Sequence, residues 1–340
     1  MKLNRIFQLF LTVLLTFGML QSVWAGPITP KKMVVDYNKR EQKAPDKIKK
    51  KLKSMRDHIK ANKLTFSVGY TTAMDFSKKQ ITGAKVPAGL HKLAKEQNVL
   101  AAKFLKSVPS LKAVPECSAS ASSFDLRAKA ATGVRDQGNC GSCWAFGTHA
   151  ALEGSYRIVN NTVIDSSEQA TVDCSRYGKG CNGGWWAFGD FIKRGNPTEA
   201  SYPYTAKRGK CKRKIDRVYK ASAWGYVDPN NAIPSVDKIK QALCKYGPIA
   251  TAVNVTTLFQ AYTGGVFNER DSGAVNHAVT LVGWDDSKGD KGAWLLKNSW
   301  GTGWGTAAGG PERGYMWIAY GSNNIGYGAA WGIAAKLGSR

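Results

Sequence analysis

The chain has 340 residues, 43% of them hydrophobic and 21% charged, a globular composition long enough for one large or two medium domains. Its formal charge of +25 points toward nucleic acid or an anionic membrane. The excess is uneven, however: residues 26–116 carry +14 and residues 117–340 carry +9. No zinc spacing or aromatic-interleaved basic motif accompanies it, so no nucleic-acid partner is expected.

Residues Met1 to Ala25 open with Lys2 and Arg5, continue through the uncharged run FQLFLTVLLTFGML, and end in small residues around Ala25. This is the pattern of a secretory signal peptide. The run is shorter than the ~20 residues that span a bilayer, so no membrane anchor is expected and the product is read as soluble and exported. Seven cysteines at 117, 140, 143, 174, 181, 211 and 244 in an oxidising compartment suggest three bridges and one free thiol.

Residues 26–116 are Lys-rich and free of cysteine. Within Pro45 to Lys63, Ile48, Leu52, Met55 and Ile59 recur at spacings of four, three and four, which predicts an amphipathic helix that needs a partner for its thin apolar stripe. Alternation at Leu64, Phe66 and Val68 predicts a strand, and Gly89 to Leu111 forms a second Lys-rich amphipathic stretch. PECSASASS, from Pro115 to Ser123, reads as an exposed linker open to proteolysis.

From Phe124 the composition turns to Gly, Trp and Tyr. Cys143 to Val159 is helical in pattern, Asp237 to Lys245 is a short helix closed by Gly247-Pro248, and Ile249 to Val255 and Ala278 to Val282 are β-branched runs expected to be strands. Helix-rich first and strand-rich second, this order argues for an α+β architecture with two lobes.

Gln137 to Trp144 reads QGNCGSCW, with His277 in VNHAV and Asn298 in KNSWG far downstream. A thiol attacks a carbonyl only as thiolate, and a helix N-terminus together with an imidazolium lowers its pKa from about 8.5. Cys143 stands at the start of its helix, and Gly138 and Gly141 permit a close approach there. The only other histidine of the second region, His149, sits six residues along the same helix, about 240° around and ~9 Å up the axis, out of reach of the sulfur.

The ordered set SFDLR, QGNCGSCWAF, SEQATVDC, GCNGGWW, YPY, GPI, NHAV and KNSWGTGWG, from Phe124 to about Ala335, resembles the papain family of cysteine peptidases. The resemblance implies a papain-like two-lobe fold, with a helical left lobe and a β-barrel-like right lobe flanking a cleft. It also implies peptide-bond hydrolysis through a thioester. By matched position, Cys143 is the nucleophile, His277 the acid/base, Asn298 the residue orienting the imidazole, and Gln137 an oxyanion donor, with Trp300 shielding the Asn298–His277 bond. Gly141, Gly183, Gly184, Trp185, Trp186, Ala252, Asn276, Ala278 and Trp300 are implied substrate contacts. Family matching pairs Cys140 with Cys181 and Cys174 with Cys211; Cys117 and Cys244, left over, are expected to pair with each other. No cofactor and no metal are implied.

GYTTAMDF, from Gly69 to Phe76, resembles the family's prosegment motif, with Ala73 where an aromatic is usual. The expected organisation is a signal peptide at 1–25, an inhibitory propeptide at 26–121 and a peptidase domain at 122–340. The propeptide is expected to block the cleft and to leave in mild acid as Asp75 and neighbouring carboxylates protonate. Peptide or protein substrates and the protein's own propeptide are the expected partners, and the chain is expected to be a monomer. The competing readings are an exopeptidase of the same family and a catalytically silent peptide-binding module. NNT at Asn160 and NVT at Asn254 are glycan acceptors only in a eukaryotic secretory route.

Overall fold

The computed structural model describes residues 35–107 and 113–337. The expected leader at 1–25 lies outside them, as do the last four residues of the Gly89–Leu111 stretch.

The N-terminal segment begins with α1 (Tyr37–Gln42) and α2 (Asp46–Ala61). Asp46 in the first turn of α2 and His58 and Lys60 in the last suit the helix dipole. Of its apolar stripe, Leu52 and Met55 are buried, while Ile48 and Ile59 pack half-buried against the same core. Short β1 (Phe66–Val68) follows, its Phe66 and Val68 facing inward and Ser67 outward, the alternation expected from sequence. The segment continues through α3 (Lys78–Ile81) and α4 (Leu90–Ser107). The 113–123 stretch is exposed at Pro115, Glu116, Ser118 and Ser120, yet it is tied down. Buried Val114 donates its N–H to the Cys244 carbonyl at 2.8 Å, and Cys117 is bonded to Cys244.

Beyond it, β2 (Ser123–Asp125) leads into α5 (Cys143–Asn160), α6 (Glu168–Cys174) and α7 (Phe188–Lys193), which build the helical lobe. The bonds Cys140–Cys181 and Cys174–Cys211 stitch its loops, leaving Cys143 as the free cysteine. β3 (Ala221–Tyr226), α8 (Val236–Tyr246), β4 (Ile249–Val253), α9 (Thr257–Ala261), β5 (Tyr262–Phe267), β6 (His277–Asp285), β7 (Ala293–Lys297), β8 (Tyr315–Ala319) and β9 (Tyr327–Ala334) follow. α8 is capped by Ser235, whose hydroxyl accepts from Lys238 N–H, and stops at Gly247 with φ +88°, the glycine-proline stop expected from sequence.

The strands pair in the order β1-β5-β8-β7-β6-β4-β9-β3, with β2 joined to β6; β5–β8 is parallel and the other pairs are antiparallel. β1 of the N-terminal segment is therefore one edge of the sheet. At the other edge, α4 covers β3: Gln97 Nε2 donates to the Trp224 carbonyl at 2.8 Å, and Asn98 both accepts from Tyr226 N–H at 2.8 Å and donates to its carbonyl at 2.9 Å. Two amide side chains thus take the place of a missing neighbour strand. α5, buried on nearly every face, packs between this sheet and α6. No described helix is long and apolar enough to cross a membrane.

Candidate active site

Cys143 is the first residue of α5, fully buried, so the free amides of the helix's first turn surround its sulfur. β6 runs antiparallel to β4 with Val253 opposite His277 and Ala252 opposite Ala278, and the Ala278 amide reaches the Cys143 sulfur. His277 is the first residue of β6. Its Nε2 donates to Asn298 Oδ1 at 2.8 Å, which fixes the proton on Nε2 and leaves Nδ1 as the free nitrogen. Neither His277 Nδ1 nor Asn298 Nδ2 has a hydrogen-bond partner among the described residues. Trp300 lies over the imidazole, ring centroids 4.6 Å apart, and is itself only 3% exposed.

Gln137 is buried beside the helix start. Its Oε1 accepts from Ser299 Oγ at 2.8 Å, which aims Nε2 at the Cys140 carbonyl, 2.7 Å away, and at the Ile81 carbonyl, 3.1 Å away. Trp300 Nε1 donates to the same Ile81 carbonyl at 3.1 Å. The N-terminal segment thus runs through the site. Gly83 and Ala84 N–H donate to the Asn276 carbonyl at 2.9 Å each, Lys85 N–H donates to Gly184 O at 2.9 Å, and Gly184 N–H donates to Gly83 O at 2.9 Å, a parallel bridge. Gly83 crosses so close to Gly141 that a Cβ on it would fall 2.0 Å from the Gly141 carbonyl oxygen.

Water is excluded as a result. Burial pushes the Cys143 thiol up to about 12, against the opposing pull of the Ala278, Gly83, Trp144 and Ala84 amides. Burial also drops His277 to about 4, only partly offset by its bond to Asn298. With the segment in place, neutral thiol beside neutral imidazole is the favoured state.

The residues expected at the groove come together around this crossing. Gly183, Gly184 and Trp185 line a cavity of about 740 Å³ shared with Lys85 and with Leu93 and Leu100 of α4. Ala84 is buried in the same apolar cluster as Cys143, Trp185, Trp186, Ala252 and Ala278. Trp186 lines the same cavity, yet it is almost completely buried, and its Nε1 donates to the Gly328 carbonyl at 2.8 Å. His149 is held away from the sulfur, its two ring nitrogens engaged by Ser166 and Thr171. It lies near Glu153 and Glu168, three buried metal-ligand types within 4.8 Å of one another, but with both nitrogens already bonded it is not an open ligand. The amide nitrogens of both glycan sequons are occupied: Asn254, 6% exposed, donates to Asp271 Oδ1 at 2.6 Å, and Asn160 donates to the Ala335 carbonyl at 3.0 Å.

Sequence reasoning missed the crossing segment Ile81–Lys85 and a buried charge cluster under the site. In that cluster Thr132 Oγ1 donates to Glu153 Oε2 at 2.9 Å and accepts from Lys297 Nζ at 3.1 Å. Lys297 directly precedes Asn298, and burial lowers it to about 8. The signals were present as single charges inside apolar elements, Glu153 on α5 and Lys297 on β7.

The motif set identified in the sequence is matched by comparison with known proteins. The family described as papain family cysteine protease matches residues 120–335. Digestive cysteine proteinase 2 of Homarus americanus is 42% identical over 214 residues, covering 60% of this chain and 63% of that protein. Cathepsin L of Sarcophaga peregrina is 41% identical over 206 residues, 57% of each. The chain therefore spans somewhat less than two thirds of the length of these curated relatives. The solved structure of digestive procathepsin L 3 from the larval midgut of Tenebrio molitor superposes with a TM-score of 0.66 at 27% identity, covering 91% of this chain and 94% of that one. Through its whole C-terminal two thirds, the chain belongs to the papain family of cysteine proteases.

Proposed function

We propose that the chain is the precursor of an exported cysteine endopeptidase, with a signal peptide at 1–25, an inhibitory propeptide at 26–121 and the peptidase at 122–340. Once the propeptide has left, water re-enters the cleft, and Cys143 and His277 take up the thiolate–imidazolium state that burial forbids in the precursor. The thiolate attacks a peptide carbonyl. Gln137 Nε2 and the Cys143 amide hold the developing oxyanion. His277 gives its proton to the leaving amine, then takes one from the water that hydrolyses the thioester. Asn298 keeps the ring turned toward the sulfur, with Trp300 excluding water from their bond. Gly183 and Gly184 pair with an extended substrate backbone once Gly83–Lys85 vacate them.

The observation that carries this reading is the occupancy of the site: the Ile81 carbonyl lies on Gln137 Nε2 and the Gly83–Lys85 backbone pairs with Gly184 and Asn276. The groove already binds a peptide. Gly184 runs on through Trp185 and Trp186 to α7 with no inserted loop to cap the groove, which favours an endopeptidase over an exopeptidase. The test is labelling with a thiol-trapping epoxide before and after acid incubation, followed by peptide mapping. Label on Cys143 only after the N-terminal segment is lost supports the proposal. Undiminished hydrolysis by a Cys143→Ser variant refutes it.

A further inference from the structure

The bond between Cys117 and Cys244 joins a residue ahead of the proposed 121/122 boundary to α8 of the peptidase region, 127 positions further along the chain. Cys117 does not stand alone there. Val114 is buried in the main core and donates its N–H to the Cys244 carbonyl at 2.8 Å, and Lys129 donates to the Pro115 carbonyl at 3.3 Å while pairing with Glu116. Core packing, hydrogen bonds and one covalent bond thus fasten residues 114–117 to the peptidase region. Ala121 and Ser122 are fastened separately: the Ala121 carbonyl accepts from Trp284 Nε1 at 2.9 Å, and the Ser122 carbonyl accepts from Asp286 N–H at 2.7 Å. Between these two anchors lies a turn of Ser and Ala, closed by Ala121 N–H donating to the Ser118 carbonyl at 3.0 Å, with Ser118 and Ser120 exposed.

A cut in this turn breaks none of the contacts that close the groove. The pairing of β1 with β5, the amide bonds of α4 to β3 and the Gly83–Lys85 crossing all come from residues ahead of Cys117. The cut ends the continuity of the chain, and the disulfide takes over as the link. Such a link holds the segment near its own groove at an effective concentration on the order of 1 mM. A cut ahead of Val114 would instead leave both cysteines in the peptidase and free the segment. Cys117 and Cys244 are each half-buried, so a thiolate can reach the pair from solvent.

We propose that Cys117–Cys244 is a regulatory redox site: once the chain is cut between Ser118 and Ser122, the N-terminal segment stays covalently attached and inhibitory until a dithiol reduces this bond. The inference rests on the precursor reading above and adds a second control to it. One thiolate of the dithiol attacks either sulfur, the Cys117–Cys244 bond breaks, and the expelled thiolate takes up a proton. The second sulfur of the dithiol then resolves the mixed disulfide, so the reductant ends as a disulfide and the protein holds two thiols. In an oxidising compartment the bond persists. Proteolysis alone therefore leaves a silent two-chain molecule, and activity begins where cut molecules meet a reductant.

The test inserts the recognition sequence of a site-specific peptidase between Ala119 and Ser120 of the full chain and cuts it at neutral pH without reductant. The cut protein should run as one species on a non-reducing gel and as two fragments after reduction. Labelling of Cys143 by a thiol-trapping epoxide is then followed over a dilution series from about 1 µM to about 1 nM protein. A tethered segment recloses within its own molecule, so labelling should stay within about twofold of the uncut chain at every dilution. In a Cys117→Ser/Cys244→Ser variant the cut segment is free, and labelling should rise on dilution by about 100-fold or more. Dithiothreitol should bring the cut parent to the rate of the cut variant and add nothing to the variant; if the variant does not fold, the dithiothreitol arm on the parent decides alone. A parent that labels fast while cut and still bonded, or a cut variant that stays closed at every dilution, overturns the proposal. So does a naturally processed protein whose first residue lies at or before Cys117. Cys143 that labels in no sample, with the fragments still joined on the non-reducing gel, refutes the peptidase reading and leaves the tether standing. A protein carrying a Cys-X-X-Cys pair that opens the bond faster than dithiothreitol at equal concentration identifies a protein as the source of the dithiol, and slower opening identifies a small molecule.

Discussion

Gly83→Ala tests how tightly the N-terminal segment seals the groove without touching the peptidase region. The new methyl carbon would sit 2.0 Å from the Gly141 carbonyl oxygen and 2.6 Å from its carbon, both backbone atoms that cannot swing aside. Reaching even the shortest tolerable separation moves the strand by about 1 Å or more. Four backbone hydrogen bonds of 2.9 Å depend on its present position, from Gly83, Ala84 and Lys85 N–H and onto Gly83 O. At about 1 kcal/mol each, losing two to four of them costs about 2–4 kcal/mol, so the open precursor should become roughly 30- to 1000-fold more populated. The assay is the initial rate at which a thiol-trapping epoxide labels Cys143 in the intact chain at neutral pH, with electrophoresis confirming that the chain is uncut. Processed enzyme from either precursor should have the same kcat/KM, because residue 83 is gone from it. A variant precursor that labels no faster than the parent and unfolds at the same temperature would refute the argument that close backbone contact seals the site.

Three further outcomes follow from the same geometry. Asn298→Ala removes the acceptor for His277 Nε2, and loss of that bond, charge-assisted once the ring is protonated, should lower kcat/KM of the processed enzyme about 10- to 100-fold; an unchanged value would show that the imidazole needs no such support. In the closed precursor burial holds His277 at about 4, and in the open cleft of a Cys143→Ser variant, with no thiolate to pair with, it returns toward about 6.5, so the open state binds the extra proton. Stability of the closed state is therefore full above pH 6.5 and is lost as pH falls toward 4, by about 2 kcal/mol at pH 5. Hydrogen exchange at residues 81–85 in a Cys143→Ser precursor should speed up about 30-fold between pH 7 and 5, and a flat profile would reject the linkage. Asn98→Ala deletes both bonds to Tyr226 and should loosen α4 by about 2 kcal/mol, seen as faster proteolysis within residues 90–107 while α2 stays protected.

The reading of the sequence succeeded where one local rule decides the outcome. Helix α2 was legible because a stripe of four apolar side chains at helical spacing can bury itself in only one way, and α8 because Gly247-Pro248 stops a helix. Of the expected Cys143–His277–Asn298 set, the structure places His277 and Asn298 2.8 Å apart, brought together by the pairing of β6 with β7. Bridge Cys117–Cys244 could be named only by elimination, since its 127-residue separation carries no spacing signal. The crossing at Ile81–Lys85 was hidden because the groups it offers to the groove are backbone N–H and C=O, and backbone leaves no trace in residue type beyond a small Gly83. Asp75, one of the carboxylates expected to respond to acid, is held by Arg40 in a two-pronged pair at 2.7 and 2.8 Å. The buried His277 imidazole is a second group whose protonation would favour opening, and it was hidden because burial is a property no single residue announces.

The N-terminal segment supplies the outermost strand at one margin of the sheet and a covering helix at the other. Its proposed release would bare both margins at once, exposing unpaired N–H and C=O groups along β5 and β3, each a template on which another chain can add a strand. In the structure the segment covers both sheet edges as well as burying the thiol, and its proposed removal would make edge-to-edge joining of molecules a consequence of processing.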